Sequence, residues 1–275
     1  VNIYYTPNDG KVIFKAYDQA TGKDVAIDLD SLATNTELAG KVDSAVSATD
    51  ASDREAKIKN LLDKLGYQYV ENSATATPEK YTADTQTISL YFTHKTSETP
   101  EDKTVTRKIN IPGENGKTIE VVQTATVHRT NTTDLVTGKT TPGDWSKASF
   151  PDYDAGQVDG HTTYVDGKET STVPTAEVKI ANGVPQNGDD VNVTYEANPG
   201  QQTIKYVDEN GNPVKFSSDS DDQVITGKVG DIKTVNTTIP AGYELVPGET
   251  IPGAVDIKQS DSPIIVTLMS KTVTV

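Results

Sequence analysis

The 275-residue sequence predicts a β-rich α+β protein built of several modules, and three observations carry that expectation. Thr and Val abound while Phe, Met and Trp are scarce, a composition that suits strands. One segment has clear helical spacing. The chain also echoes itself. Ala16-Tyr17-Asp18-Gln19-Ala20-Thr21-Gly22-Lys23-Asp24-Val25 is answered by Tyr206-Val207-Asp208-Glu209-Asn210-Gly211-Asn212-Pro213-Val214. Gly66-Tyr67-Gln68-Tyr69-Val70 is answered by Gly242-Tyr243-Glu244-Leu245-Val246, and the run after Asp84 by the run after Asp261. Ordered matches of this kind mean a duplicated module.

The first module covers residues 1–97. Val12 to Tyr17 reads as a strand, turned by Thr21-Gly22 into Val25-Ala26-Ile27. Ser52 to Leu65 reads as a helix, with Ser52-x-x-Glu55 as a capping box and Ile58, Leu61, Leu62 and Leu65 on one face. Gly66 falls where a helix-ending glycine belongs. Strands at Gln68–Val70 and Thr87–Thr93 follow. Hairpin, crossing helix and final hairpin is the order of a β-grasp, the ubiquitin-like arrangement.

The polar stretch Ser97 to Asp102, interrupted by Pro100, reads as a linker. The second module, 98–199, is mainly β. Val105–Ile111 and Thr118–Arg129 form a hairpin in which Asn115-Gly116 supplies positive φ. A loop-rich middle from Asn131 to Pro174 holds the sole Trp, and strands at Ala176–Ile180 and Val191–Tyr195 complete the sheet. Asn198-Pro199-Gly200 reads as a short joint. The third module, 200–275, repeats the first without a clear helix; Thr226 to Thr238 fits neither strand nor helix decisively. Short linkers between such modules predict an elongated rod.

There are no cysteines, which excludes disulfides and Cys-based zinc sites. With 25 Lys and Arg against 40 Asp and Glu, the net charge is −15, which disfavours nucleic acid and anionic lipid as partners. No signal peptide, membrane span or sorting motif is present, so the chain reads as a monomeric portion of something longer, with no insertion in a membrane. A Thr-rich, Cys-free, acidic chain suits the exterior of a Gram-positive bacterium.

Chemistry is sparse. His94, His128 and His161 are far apart and lack metal-ligand spacing; the first two read as solvated strand residues. No nucleophile elbow or phosphate-binding glycine loop occurs, so no enzyme activity is expected. Asp208, Asn210 and Asn212 alternate like the start of a calcium loop, but Pro213 stands where the loop needs glycine, and a hairpin turn on Asn210-Gly211 is the favoured reading. Asp152, Asp154 and Asp159 are a second acidic cluster, and calcium is the one cofactor to consider. Trp145 and Tyr153 are the candidate ligand-binding residues, since sugar rings pack on aromatic faces; the competing reading makes Trp145 a core anchor. Asn-x-Thr triplets at 131, 192 and 236 carry meaning only in a eukaryotic secretory protein. A Lys–Asn isopeptide crosslink has no decisive signature.

Gln123, Thr126, Arg129, Asp134, Thr137-Gly138, Trp145 and Phe150 occur in an order that resembles the repeats of lactobacillal mucus-binding proteins. Tyr206-Val207-Asp208-Glu209-Asn210-Gly211, with Ala241-Gly242-Tyr243, resembles the smaller mucin-binding domain of the same adhesins. Gly160-His161 departs from the Gly-Tyr usual there. The resemblance implies a cell-wall-anchored, extracellular adhesin repeat whose weak contacts with mucin glycoproteins are multiplied by repetition. The alternative is immunoglobulin binding by a sheet edge, or a spacer without ligand built from the same modules. Mucins are anionic, so a −15 chain should bind them better as pH falls and carboxylates protonate.

Overall fold

A computed structural model describes residues 1–25 and 37–272, and the expected strand residues Ala26 and Ile27 lie outside the described residues. The protein is mostly β and forms two compact units, one of residues 1–103 and 128–146, the other of residues 104–127 and 147–275.

The first unit is organised on β1 (Asp9–Asp18), whose alternate residues Val12, Phe14 and Ala16 are buried. β1 pairs antiparallel with β2 (Lys23–Asp24) and β3 (Glu37–Lys41). It pairs parallel with β5 (Gln86–His94), which pairs antiparallel with β4 (Tyr67–Tyr69). A parallel pair needs a crossover, and α1 (Ala48–Lys64) lies in it. The helix starts earlier than its capping box suggests. Its cap is Ser47, whose Oγ accepts the Asp50 N–H at 3.2 Å, while Glu55 sits inside the helix and pairs with Lys59. Ile58 and Leu62 are buried and Leu61 packs against the same core; Leu65, past the end of the helix, is exposed. Gly66 ends the helix at φ +92, and a Cβ there would meet the Leu135 backbone at 2.8 Å.

β6 (Thr96–Pro112) and β7 (Thr118–Asp134) are adjacent strands with residues in both units. β6 overturns the expected linker: Ser97 to Asp102 are strand, and Glu101 is held there by Arg129 and Asn131 of β7. In the first unit, β8 (Thr140–Pro142) folds back on the end of β7.

In the second unit, the turn between β6 and β7 has the expected positive φ at Asn115 and Gly116. The supposed loop region holds short strands: β10 (Tyr153–Asp154) pairs with β13 (Thr172–Val173), and β9 (Ser149–Phe150) pairs with β14 (Ala176–Glu177), the start of the expected Ala176–Ile180 strand, which thus joins β9 and not the larger sheet. β15 (Ile180–Ala181) and β16 (Val184–Pro185) form a hairpin of their own. β11 (His161–Val165) pairs with β12 (Lys168–Glu169) and with β17 (Val191–Ala197), and β17 runs parallel to β6.

Only Asn198 separates β17 from β18 (Pro199–Asp208), so two residues of the expected joint are strand; Pro199 is tolerated as the first residue of β18. Then come β19 (Pro213–Val214), β20 (Asp222–Lys228), β21 (Ile232–Thr234), β22 (Tyr243–Leu245), β23 (Ala254–Asp256) and β24 (Ile264–Ser270). Their sheet has the order β19-β18-β24-β22 with β20 on β18, which is the order β2-β1-β5-β4 with β3 on β1. The registers agree as well. Phe14 faces Ile88 as Ile204 faces Ile264, and Tyr67 faces His94 as Tyr243 faces Ser270. Where α1 lies between β3 and β4 in the first sheet, β21 lies between β20 and β22 in the second and pairs antiparallel with β23; the ambiguous stretch from Thr226 to Thr238 supplies the end of β20 and all of β21.

Candidate functional site

Trp145 lies in the first unit, in the segment that follows β8 and runs beside β7. Backbone bonds hold that segment: Gly143 N–H to the Thr130 carbonyl at 3.0 Å and Ser146 N–H to the His128 carbonyl at 2.8 Å. Ser146 Oγ accepts the His128 N–H in return. Gly143 is required for this approach, because a Cβ would stand 2.4 Å from the Thr130 oxygen.

The indole is half-buried, and the Arg129 guanidinium lies 4.3 Å from its ring centroid. Arg129 is in turn fixed by Glu101, which accepts from its Nε and Nη2 at 2.7 Å and from Asn131 Nδ2 at 2.8 Å. The Asn131 bond first, then Arg129, hold the Glu101 carboxyl below its usual range. Beside them, His128 Nδ1 meets Asp102 Oδ1 at 2.7 Å. Trp145, Arg129, His128 and Asp102 line a shallow groove of about 580 Å³. Trp145 is therefore not a core anchor. The groove thus sets a partly exposed ring beside a guanidinium, an imidazole and a carboxylate, an apolar surface with hydrogen-bonding groups at its margin.

Tyr153 belongs to the second unit and packs against the Ile109, Val173 and Val193 cluster. Phe150 is wholly buried between Val105 and Ala125. Over its ring, at 5.3 Å, sits the Arg107 guanidinium, 3% exposed and depressed in pKa by burial. Arg107 donates to Gln123 Oε1 and to the Pro151 and Pro174 carbonyls.

The Asp-led motifs are turns. Asp208 Oδ1 accepts from the N–H groups of Asn210 and Asn212, and Oδ2 from Asn212 Nδ2, which closes the β18–β19 hairpin. Asp134 caps the Leu135–Gly138 turn through Val136 and Thr137 N–H, and Asp18 caps the β1–β2 turn through Ala20 N–H and Thr21 Oγ1. Among the described residues no cluster of three or more His, Cys, Asp or Glu could hold a metal ion.

His94 corrects the expectation of a solvated strand residue. Its side chain is 10% exposed, with Nδ1 2.6 Å from Asp134 Oδ2 and Nε2 3.0 Å from Asp18 Oδ2, under the edge of the Tyr67 ring. The bond to Asp134, assisted by Asp18, raises the imidazole pKa against the effect of burial. Asp134 falls to about 2, chiefly through the His94 bond. For Asp18 burial acts upward, but the bonds from Thr21, His94 and Ala20 outweigh it and lower the carboxyl. Both ring nitrogens are engaged, so His94 fastens two capped turns and has no nitrogen left to act as a base.

Residues 96–199 match the family model described as the Muc B2-like domain, and residues 203–275 match the MucBP domain. No curated protein matches the chain. Among solved structures the chain is similar to Mub-RV, at 21% identity and TM-score 0.45, covering 69% of this chain and 99% of that one. It is similar to the type 2 repeat of the mucus binding protein MUB from Lactobacillus reuteri, at 19% identity and TM-score 0.41, covering 69% and 100%. It is also similar to the mucin-binding domain of Spr1345 from Streptococcus pneumoniae, at 27% identity and TM-score 0.30, covering 37% and 96%. The chain thus carries a Muc B2-like domain over residues 96–199 followed by a MucBP domain over residues 203–275.

Proposed function

We propose that this chain is a non-enzymatic, mucin-binding segment of an extracellular bacterial adhesin, and that its two sheets with parallel central pairs are β-grasp modules arranged in tandem. The succession of a Muc B2-like and a MucBP domain carries the reading. In it, mucin glycans are held at the Trp145–Arg129 groove, where an aromatic face and fixed polar groups meet. A groove this open binds weakly, and repetition on one polymer raises avidity by about 10²–10⁴.

The test is binding of the purified chain to immobilised mucin before and after periodate oxidation of the glycans. Loss of binding after oxidation is the expected result. Binding that survives oxidation replaces sugar recognition by protein recognition, and no binding to either form overturns the adhesin reading.

A further inference from the structure

Val1–Pro7 lies exposed ahead of β1 and is apolar out of proportion to its surroundings: Ile3 is 71% exposed, and Tyr4 and Tyr5 are each 87% exposed. The correspondence between the two repeated sheets extends back into this segment. Asp18 corresponds to Asp208, and with the same offset Val1–Asp18 runs beside Val191–Asp208 without a gap. Val1, Asn2, Tyr5, Asn8, Gly10, Lys15 and Asp18 meet identical residues, and Ile3 meets Val193.

The geometry after the segment repeats too. Asn8 accepts the Val42 N–H at 2.9 Å, as Asn198 accepts the Val229 N–H at 2.9 Å. A Cβ on Gly10 would strike the Thr82 carbonyl, as one on Gly200 would strike that of Lys258. Val42 follows Gly40-Lys41 and Val229 follows Gly227-Lys228, and positive φ comes next in both, at Asp43 and Gly230.

Val191–Ala197, the counterpart of Val1–Pro7, is β17, the strand between β11 and β6. Val191 and Val193 face its core and Tyr195 Oη donates to the Ala155 carbonyl. The domain it completes also touches the β18 sheet and its lead-in residue: the Asn198 N–H donates to Gly160, Thr162 Oγ1 to Asn198 Oδ1, and Val229 lies against Gly160.

We propose that Val1–Pro7 is a sheet-completing strand, and that with Asn8 and Val42 it forms the docking surface for a further Muc B2-like domain. Val1, Ile3 and Tyr5 occupy the core-facing positions of β17, so the segment enters the partner's sheet between its β11-like and β6-like strands. Strand addition of this kind satisfies the backbone and buries alternate side chains together. Pro7 falls at the last pair of the ladder, where a missing N–H is tolerated. The proposal stands independently of mucin recognition.

The test places a second copy of residues 96–190 directly ahead of Val1 in the full chain, so that Val1–Pro7 stands where Val191–Ala197 stands in the original domain. Hydrogen exchange is read at Ile3–Thr6. Slowing by at least ~100-fold relative to the unextended chain is expected, as for a strand that opens only with its domain. Replacing Val1–Pro7 with a Gly-Ser heptad in the extended protein should leave the added copy unprotected. Exchange at Ile3–Thr6 as fast as in the unextended chain, or an added copy equally protected with the Gly-Ser heptad, overturns the proposal.

Discussion

His94 Nδ1 lies 2.6 Å from Asp134 Oδ2, and that contact joins the end of β5 to the turn after β7. The opposite nitrogen reaches Asp18 at 3.0 Å. A carboxylate on each side of the imidazole favours its protonated form. The corresponding position of the repeated sheet is Ser270, so the two sheets differ in their response to pH.

Linkage fixes the sign of that response. The raised His94 pKa gives stability that is complete below the unfolded value of about 6.5 and is lost as pH rises through the folded value. The lowered Asp18 and Asp134 give stability present above about 4 and lost as pH falls through their folded values, about 2 for Asp134. The first unit is therefore most stable between about pH 4 and 6.5. Its amide-exchange protection should decline from pH 6 to 9, after correction for intrinsic exchange, while the sheet around β18 and β24 changes less. His94→Gln should lower the melting temperature of the first unit by ~5 °C at pH 5.5 and flatten its pH dependence.

Arg107 gives a second prediction. Its donors go to neutral oxygens, so its removal leaves the Pro151 and Pro174 carbonyls and Gln123 without that partner beside Phe150. Arg107→Met should destabilise the second unit by about 2–4 kcal/mol in urea unfolding. Arg107→Lys should not restore it, because a single ammonium nitrogen cannot stand in for the three separate guanidinium nitrogens that reach Gln123, Pro174 and Pro151. Adding Gln123→Leu to Arg107→Met should not recover the loss, since Gln123 Nε2 also donates to the Pro151 carbonyl, which then loses both of its donors.

Local chemistry made much of this fold legible, and distance in sequence hid the rest. Asn115-Gly116, Gly66 and the Asp-led turns are visible because the residues that need one another lie within a few positions. The duplicated strands are visible for the same reason. His94 was opaque because its partners are 76 and 40 residues away, and Arg107 because an inward Arg on a strand reads like an outward one. The helix start misled because Ser52-x-x-Glu55 satisfies a local rule that Ser47 satisfies with its observed bond. Trp145 is legible as the sole Trp, in a loop-rich stretch, but the frame around it is not, because Arg129 is held by Glu101, in a stretch whose polarity and proline suggest a linker.

Gly160, the glycine that precedes the departing His161, has a role that the structure explains. It has φ +72, and a Cβ there would lie 2.6 Å from Val229 Cγ1. Gly160→Ala should cost about 2 kcal/mol through backbone strain and crowding together. Val229→Ala removes the crowding atoms, so the double variant should be more stable than the sum of the two single losses predicts. Strict additivity in urea unfolding would show that Val229 is not the obstacle.

The Trp145 groove supplies the prediction closest to function. Trp145→Ala removes the ring, whereas Glu101→Gln keeps its size and loosens the hold on Arg129. If sugar stacks in this groove, Trp145→Ala should weaken mucin binding by at least ~10-fold, the loss of about 1.4 kcal/mol. Glu101→Gln should weaken it less, because the guanidinium stays within reach of the ring. Tyr153→Phe should leave binding unchanged, since Tyr153 packs against the core of the other unit. Surface plasmon resonance on immobilised mucin reads all three. Equal affinity of the Trp145→Ala variant and the unaltered chain, with circular dichroism unchanged, would move the glycan site elsewhere on the molecule.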